Sequence, residues 1–333
     1  RQMLAAFPLE YRVYSRIKRQ YRGNLPEFSV ARVAGPNARA VYERVSGEPL
    51  SKGISGFFTR EGYQNAFQGL VQIAVAKLAA EESVAISKQI IKRAGPSMPV
   101  IVGVSAPGFA AMRSLARTVM DAGAAGVMIA PPNTLRTDDQ ILGYYKQAVD
   151  AIGDDIPFCI QDFPLTFSVV MSPKVIRSII QELPSCVMLK HEDWPGLEKI
   201  STLRAFEADG SLRHVSILCG NGGLFLDFEC ERGADGAMTG YAFPDMLVDV
   251  VRLQKAGKRD AAHDLFDAHL PMIRYEQQPG AGLAVRKYLL KKRGVIASDA
   301  QRKPSAPLSA KARAEVDYLF DRLAKLDARA KAA

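Results

Sequence analysis

A (β/α)8 TIM barrel carrying a helical C-terminal extension, and so an α/β protein, is the fold class that the sequence predicts. Three observations predict it. From Pro99 onward, six short apolar runs alternate with amphipathic segments, the signature of βα units on a parallel sheet. Two joints repeat one pattern, "DAGAAGVMIA" from 121 and "ERGADGAMTG" from 231, each closing a helix on Gly just before the next strand. Upstream, "EFSVARVAG" (27–35) and "LVQIAVAKL" (70–78) are the first two strand candidates, which brings the count to eight.

The elements follow in order. "EESVAISKQIIKRAG" (81–95) reads as a helix, and "PVIVGV" (99–104) as the strand after it. Phe109, Met112, Leu115, Ala116, Val119 and Met120 then recur at helical spacing, with Gly123 as a left-handed cap. Strands are expected over "GVMIA" (126–130), "PFCIQ" (157–161), "CVMLK" (186–190), "VSILCG" (215–220) and "GAMTG" (236–240). The gaps fit helices near 137–151, 173–182, 196–208, 222–232 and 244–256. Beyond them "AAHDLFDAHLPMIRYEQ", "GLAVRKYLLKKRG" and "AKARAEVDYLFDRLAKLDARAKAA" read as helices. The barrel is therefore expected over 1–257 and the extension over 258–333, with its Ala/Lys/Arg-rich last turn frayed.

Composition narrows the function classes. A chain of 333 residues can bury a sizeable core, and 48% hydrophobic with 24% charged residues is ordinary globular content. No apolar run approaches the roughly 20 residues that cross a bilayer. "RQMLAAFPLEYRVYSRIKRQ" has no apolar core followed by a small-residue cleavage site, so a soluble, cytoplasmic protein is expected. Cys159, Cys186, Cys219 and Cys230 show no CxxC spacing and read as core thiols. The net charge of +9 is local: residues 1–78 hold 12 Lys/Arg against 5 Glu and no Asp, and the remainder holds 32 against 30. "YRVYSRIKRQYRGN" interleaves Arg and Tyr but matches no named nucleic-acid motif, so a solvated or subunit-facing arm is the favoured reading over a nucleic-acid partner.

In such a barrel the functional groups stand at the C-terminal ends of the strands. These are Ser105, Asn133, Gln161 and Asp162, then Lys190 with His191, Glu192 and Asp193, then Gly220, Asn221, Gly222 and Gly223, and finally Thr239, Gly240 and Tyr241. Lys190 is the one amine in that ring. A lysine desolvated among barrel side chains has a lowered pKa and a neutral amine that attacks ketones. The bland alternative is a strand-end lysine reaching solvent. His191 has the ordinary pKa of a base but falls on the opposite face of an ideal strand from Lys190, while Glu192 and Asp193 suit the cap of the helix near Pro195. His191, His214, His263 and His269 have no HxH or HxxxH spacing, so no metal is expected. "CGNGG" is either an anion cradle of backbone N–H groups or a plain glycine turn.

Residues 98–296 resemble the dihydrodipicolinate synthase and N-acetylneuraminate lyase family of class I pyruvate aldolases. The matching pieces are "PVIVGVSAPGFAAMRSLA", "GAAGVMIAPP", "PFCIQDFP", "VMLKHED" and "CGNGGLF…GADGAMTG", in family order and spacing. The resemblance implies that Lys190 is the Schiff-base lysine; Gln161 and Asp162 at the neighbouring strand end are the other catalytic candidates, and Ser105, Asn133, Gly220, Asn221 and Thr239 the substrate-binding ones. It implies a carbon–carbon or carbon–oxygen lyase acting on a 2-keto acid or sugar-acid-derived substrate, with no cofactor, assembled as a homo-oligomer, dimer or tetramer. The departures are specific. Gln161 and Asn133 stand where the family's relay tyrosines are expected, and neither can act as an acid or base. Thr166 stands for a carboxylate-binding arginine, so dihydrodipicolinate synthesis itself is not expected. "VQIAVAKLAAEES" lacks the family's Gly/Thr carboxylate loop, and the resemblance begins abruptly near Ala79, as an altered reading frame or a divergent segment would produce. The competing class is a non-catalytic keto-acid or sugar-acid binding protein that kept the barrel and lost the relay.

Overall fold

Strands without polar alternation are buried on both faces, and the apolar runs of this chain are used that way. Val102, Val127, Ile129, Ile160 and Leu189 are all fully shielded from solvent. The computed structural model describes residues 71–73, 78–95, 98–194 and 196–331; the strand expected over 27–35 and the basic N-terminal run lie outside them. Two compact units divide the chain, one ending at Leu218 and the other beginning at Cys219.

In the first unit β1 (Val71–Ile73), β2 (Val100–Gly103), β3 (Gly126–Ile129), β4 (Phe158–Asp162), β5 (Cys186–His191) and β6 (Ser216–Cys219) lie side by side in sequence order. Pairing is parallel from β1 to β5. Each strand is followed by helix: α1 (Ala80–Ala94), α2 (Phe109–Asp121), α3 (Asp138–Ile152), the single turn α4 (Pro164–Phe167) with α5 (Pro173–Glu182), and α6 (Leu197–Ala208). Local chemistry sets where they begin. Thr137 accepts the Gln140 N–H while Gln140 receives the Thr137 N–H, a capping box at the start of α3. Ser172 accepts the Val175 N–H, and Pro173 opens α5. The core lies between the sheet and these helices, with the buried Tyr145 ring stacked on Phe158 at 6.1 Å.

One irregularity positions the site. Phe158 is opposite Cys186, but Cys159 is opposite Met188, so β5 carries one extra residue, Val187. A bulge of this kind re-aims the side chains beyond it. Lys190 thereby comes opposite Gln161, and His191 opposite Asp162.

The second unit starts with the end of β6, where Cys219 O accepts the Met238 N–H just after β7 (Gly236–Ala237). The helix expected over 222–232 is divided here. Asn221–Gly223 form a 3-10 turn in which Gly222 and Gly223 have φ of +67° and +75°, a conformation that favours glycine, and α7 (Leu226–Glu231) follows. Next come α8 (Pro244–Lys255), α9 (Arg259–Glu276), α10 (Gly282–Lys292) and α11 (Ala310–Leu323). The frayed final turn is corrected. Residues 328–330 form a pinned 3-10 turn, with Ala330 fully buried and Arg329 paired to Asp327 and Asp249. His269 joins that clamp, its two ring nitrogens each 2.9 Å from Tyr241 Oη and Asp327 Oδ2. The seven strands expected within the described residues are all present, and none of the helices there is long and apolar enough to cross a membrane.

Candidate functional site

The end of β5 has two faces because successive side chains alternate. Lys190 and Glu192 share one face: Lys190 Nζ lies 3.0 Å from Glu192 Oε1, and both are nearly buried, at 6% and 5% exposure. Gln161 Nε2 donates to the same Glu192 oxygen at 2.8 Å. The Glu192 N–H donates to Asp162 O at 2.8 Å, which extends the ladder one residue past β5 and holds the carboxylate beside the amine. An amine, a carboxylate and an amide donor therefore meet at the strand ends. That set can add to a carbonyl carbon, carry a proton and fix an oxygen.

The other face carries His191, Asp193 and Asp162. Asp162, fully buried, accepts from Lys199 Nζ of α6 at 2.8 Å, and Lys199 reaches Asp193 Oδ2 at 2.5 Å. His191 Nδ1 lies 3.6 Å from Asp162 Oδ2, and neither of its ring nitrogens makes a hydrogen bond among the described residues. The carboxylate brought to Lys190 is thus that of Glu192, whereas Asp162 points to the side of His191. The expectation that Glu192 and Asp193 cap the next helix is corrected too: α6 starts after Gly196 with no side-chain cap. Glu192 is among the strand-end groups that the sequence offers, but its acid reads equally as a helix-terminus charge. The alternation Lys-x-Glu on a strand end was the signal that could have found it.

Ser105 and Asn133 lie at the ends of β2 and β3 and are exposed; Ser105 Oγ accepts the Ala130 N–H at 2.8 Å. Burial pushes the Cys159 thiol well up and Cys186 up to about 12, so both are inert core groups.

In the second unit, Gly220, Asn221 and Thr239 fall at the ends of β6 and β7. The turn and the segment after β7 are packed by Gln277, which ends α9, and by Arg286 of α10: a Cβ on Gly222 would strike Gln277, and one on Gly240 would strike the Arg286 guanidinium. Arg286 Nε donates to Glu276 at 2.6 Å, and Glu276 also accepts the Ala242 N–H at 3.0 Å. Burial holds the Glu276 carboxyl up at about 7 against that guanidinium. A shallow depression of about 790 Å³ on α1, lined by Ile86, Gln89, Ile90, Lys92, Arg93 and Met98, contains none of these groups. Among the described residues no group of three His, Cys, Asp or Glu is placed to hold a metal ion.

With this geometry in place, two family models match the chain. The dihydrodipicolinate synthetase family matches residues 74–322, and the family described as IcmF-related, intracellular multiplication and human macrophage-killing, matches residues 1–96. L-2-keto-3-deoxyarabonate dehydratase of Azospirillum brasilense is 30% identical over 249 residues, 73% of this chain and 78% of that protein. The structure of dihydrodipicolinate synthase from Rhodopseudomonas palustris is 66% identical with a TM-score of 0.75, covering 81% of this chain and 91% of that one. The type VI secretion system component TssM1 of Pseudomonas aeruginosa is 43% identical over 68 residues, 20% of this chain but only 6% of that protein. The abrupt onset of resemblance near Ala79 thus falls where the matches to two different families overlap.

Proposed function

The chain belongs to the dihydrodipicolinate synthetase family and is a lyase of that family, and from this premise we propose that Lys190 forms a Schiff base with the ketone of a 2-keto-3-deoxy sugar acid. The observation that carries the proposal is the buried Lys190–Glu192 pair at 3.0 Å. It answers the loss of the relay tyrosines, because a carboxylate at the amine can carry the protons that Gln161 and Asn133 cannot. The name of the 30% identical relative supports the substrate class and favours dehydration over carbon–carbon cleavage. The parallel sheet is taken as part of the (β/α)8 barrel of the family, with the helices from 258 onward as its extension.

The Lys190 amine adds to C2 of the substrate, and loss of water leaves an iminium. Removal of a proton from C3 sends its electron pair into the iminium to form an enamine. The enamine then returns that pair to expel the C4 hydroxyl, which takes up a proton and leaves as water. Hydrolysis of the resulting conjugated imine frees the lysine. Glu192 moves the protons as the imine forms, at C3 and at the leaving hydroxyl, Gln161 holds Glu192, and Ser105 and Asn133 orient the substrate hydroxyls.

The test is borohydride trapping with pyruvate and a panel of 2-keto-3-deoxy sugar acids, read by intact mass and peptide mapping. An adduct on Lys190 that is absent in Lys190→Ala is expected. No adduct from a folded protein with any of these ligands would sink the imine mechanism and favour a binding protein.

A further inference from the structure

Four charged or titratable side chains lie behind Lys190 and Glu192, and the chemistry proposed above does not use them. Lys199 is 9% exposed, and its ammonium is placed between Asp162 at 2.8 Å and Asp193 at 2.5 Å. Those two acids stand on either side of the segment that carries Lys190 and Glu192. Asp162 ends β4, and its carbonyl accepts the Glu192 N–H; Asp193 is the residue after Glu192. The His191 ring fills the space beside them, so close to Gly196 that a Cβ there would collide with it. Pulling Asp162 and Asp193 toward α6 fixes the back of the strand end. By alternation it also fixes Lys190 and Glu192 on the front.

We infer that Lys199 is a positioning residue of this lyase, acting through Asp162 and Asp193 to hold Glu192 against Lys190, an inference that rests on the proposed roles of those two residues. A buried ion pair is weak evidence of added stability, and its best-attested use is to fix one arrangement among several. Here the alternative arrangement is concrete. An untied 191–194 turn can swing the Glu192 carboxylate out to water, where a carboxylate is better solvated than beside a single ammonium.

The test uses the full chain. Lys199→Met is combined with Asp162→Asn, so that the buried carboxylate does not lose its counter-ion, and folding is checked by circular dichroism. Amide hydrogen exchange across 186–194 reads the positioning without any chemistry, and borohydride trapping at Lys190 with pyruvate reads its consequence. Exchange at the Glu192 amide is expected to rise by about tenfold or more, with β2 unchanged. Trapping at saturating pyruvate is expected to slow by about tenfold, with the half-saturating concentration moving less than about threefold. In a Glu192→Gln background the same pair of substitutions should cost no more than about twofold, because the route through Glu192 is already lost. Lys199→Arg, which keeps the charge, should retain most of the trapping rate. Unchanged exchange overturns the inference, and so does a loss of trapping that adds fully to that of Glu192→Gln. If the wild-type chain forms no adduct, the imine mechanism has failed, and the exchange experiment alone decides the positioning.

Discussion

At the scale of single residues, the site is a question of which oxygen sits at the amine. Glu192 does, and Asp162 does not, although Asp162 is on the neighbouring strand end and Glu192 is two residues along from Lys190. Glu192→Gln keeps the shape and loses the proton carrier, so turnover should fall by roughly 10²–10⁴-fold while borohydride still traps an adduct on Lys190, about tenfold more slowly. Steady-state rates on a 2-keto-3-deoxy sugar acid, set beside the trapped mass, separate the two steps. Equal loss of trapping and turnover would confine Glu192 to forming the imine. Gly196 is constrained by packing. Its missing Cβ leaves room for the buried His191 ring, so Gly196→Ala should destabilise the fold by about 1–3 kcal/mol through overpacking. Urea unfolding checks this, and a neutral result would mean that the ring has somewhere else to go.

At the scale of elements, the strand ends are aimed by register and the helices are started by caps. The extra Val187 in β5 converts a pairing of Gln161 with Leu189 into a pairing with Lys190. A one-residue slip exchanges the two faces of a strand, so the bulge decides which polar groups meet. Helix α3 depends on a reciprocal box between Thr137 and Gln140. Thr137→Ala should cost about 1 kcal/mol, measured as a shift in the urea midpoint with an unchanged slope. The strand and helix positions were legible because apolar runs and helical spacing follow from burial alone. The bulge was not, since nothing in "CVMLKHED" marks which residue is left unpaired. The final turn was misread for a related reason: "LDARAKAA" looks polar and weakly held, yet Arg329 and Asp327 find partners on α8 and α9 that are remote in sequence.

At the scale of the whole molecule, stability should carry the mark of one buried acid. The Glu276 carboxyl is fully buried and held at about 7, against an ordinary 4.5. Between those values the folded state binds the extra proton, so this group's contribution to stability is fully present below about pH 4.5 and is lost as pH rises through 7. The effect is on the order of 3 kcal/mol, with the opposing pull of Arg286 already contained in that value. Urea unfolding at several pH values from 5 to 8 should show this fall, and Glu276→Gln should flatten it; an unflattened curve would assign the slope to other groups. The two family matches also belong to this scale. The local basic excess and the absence of Asp in residues 1–78 coincide with the segment that resembles the IcmF-related family, so the composition shift and the family change are one boundary seen twice.

The sequence by itself determined the family, the parallel order of alternating strands and helices, and the place of Lys190 at a strand end. Each of these depends on local pattern: apolar runs that must be buried, glycines that end helices, and motifs in a fixed order. Only the tertiary structure decided that Glu192 meets Lys190 on one face while Asp162, His191, Asp193 and Lys199 gather on the other. Face assignment depends on register, and register is set by pairing between strands that lie about thirty residues apart in the chain, as Gln161 and Lys190 do. A carboxylate at a strand end and a carboxylate at a helix start are the same letters until that pairing is made.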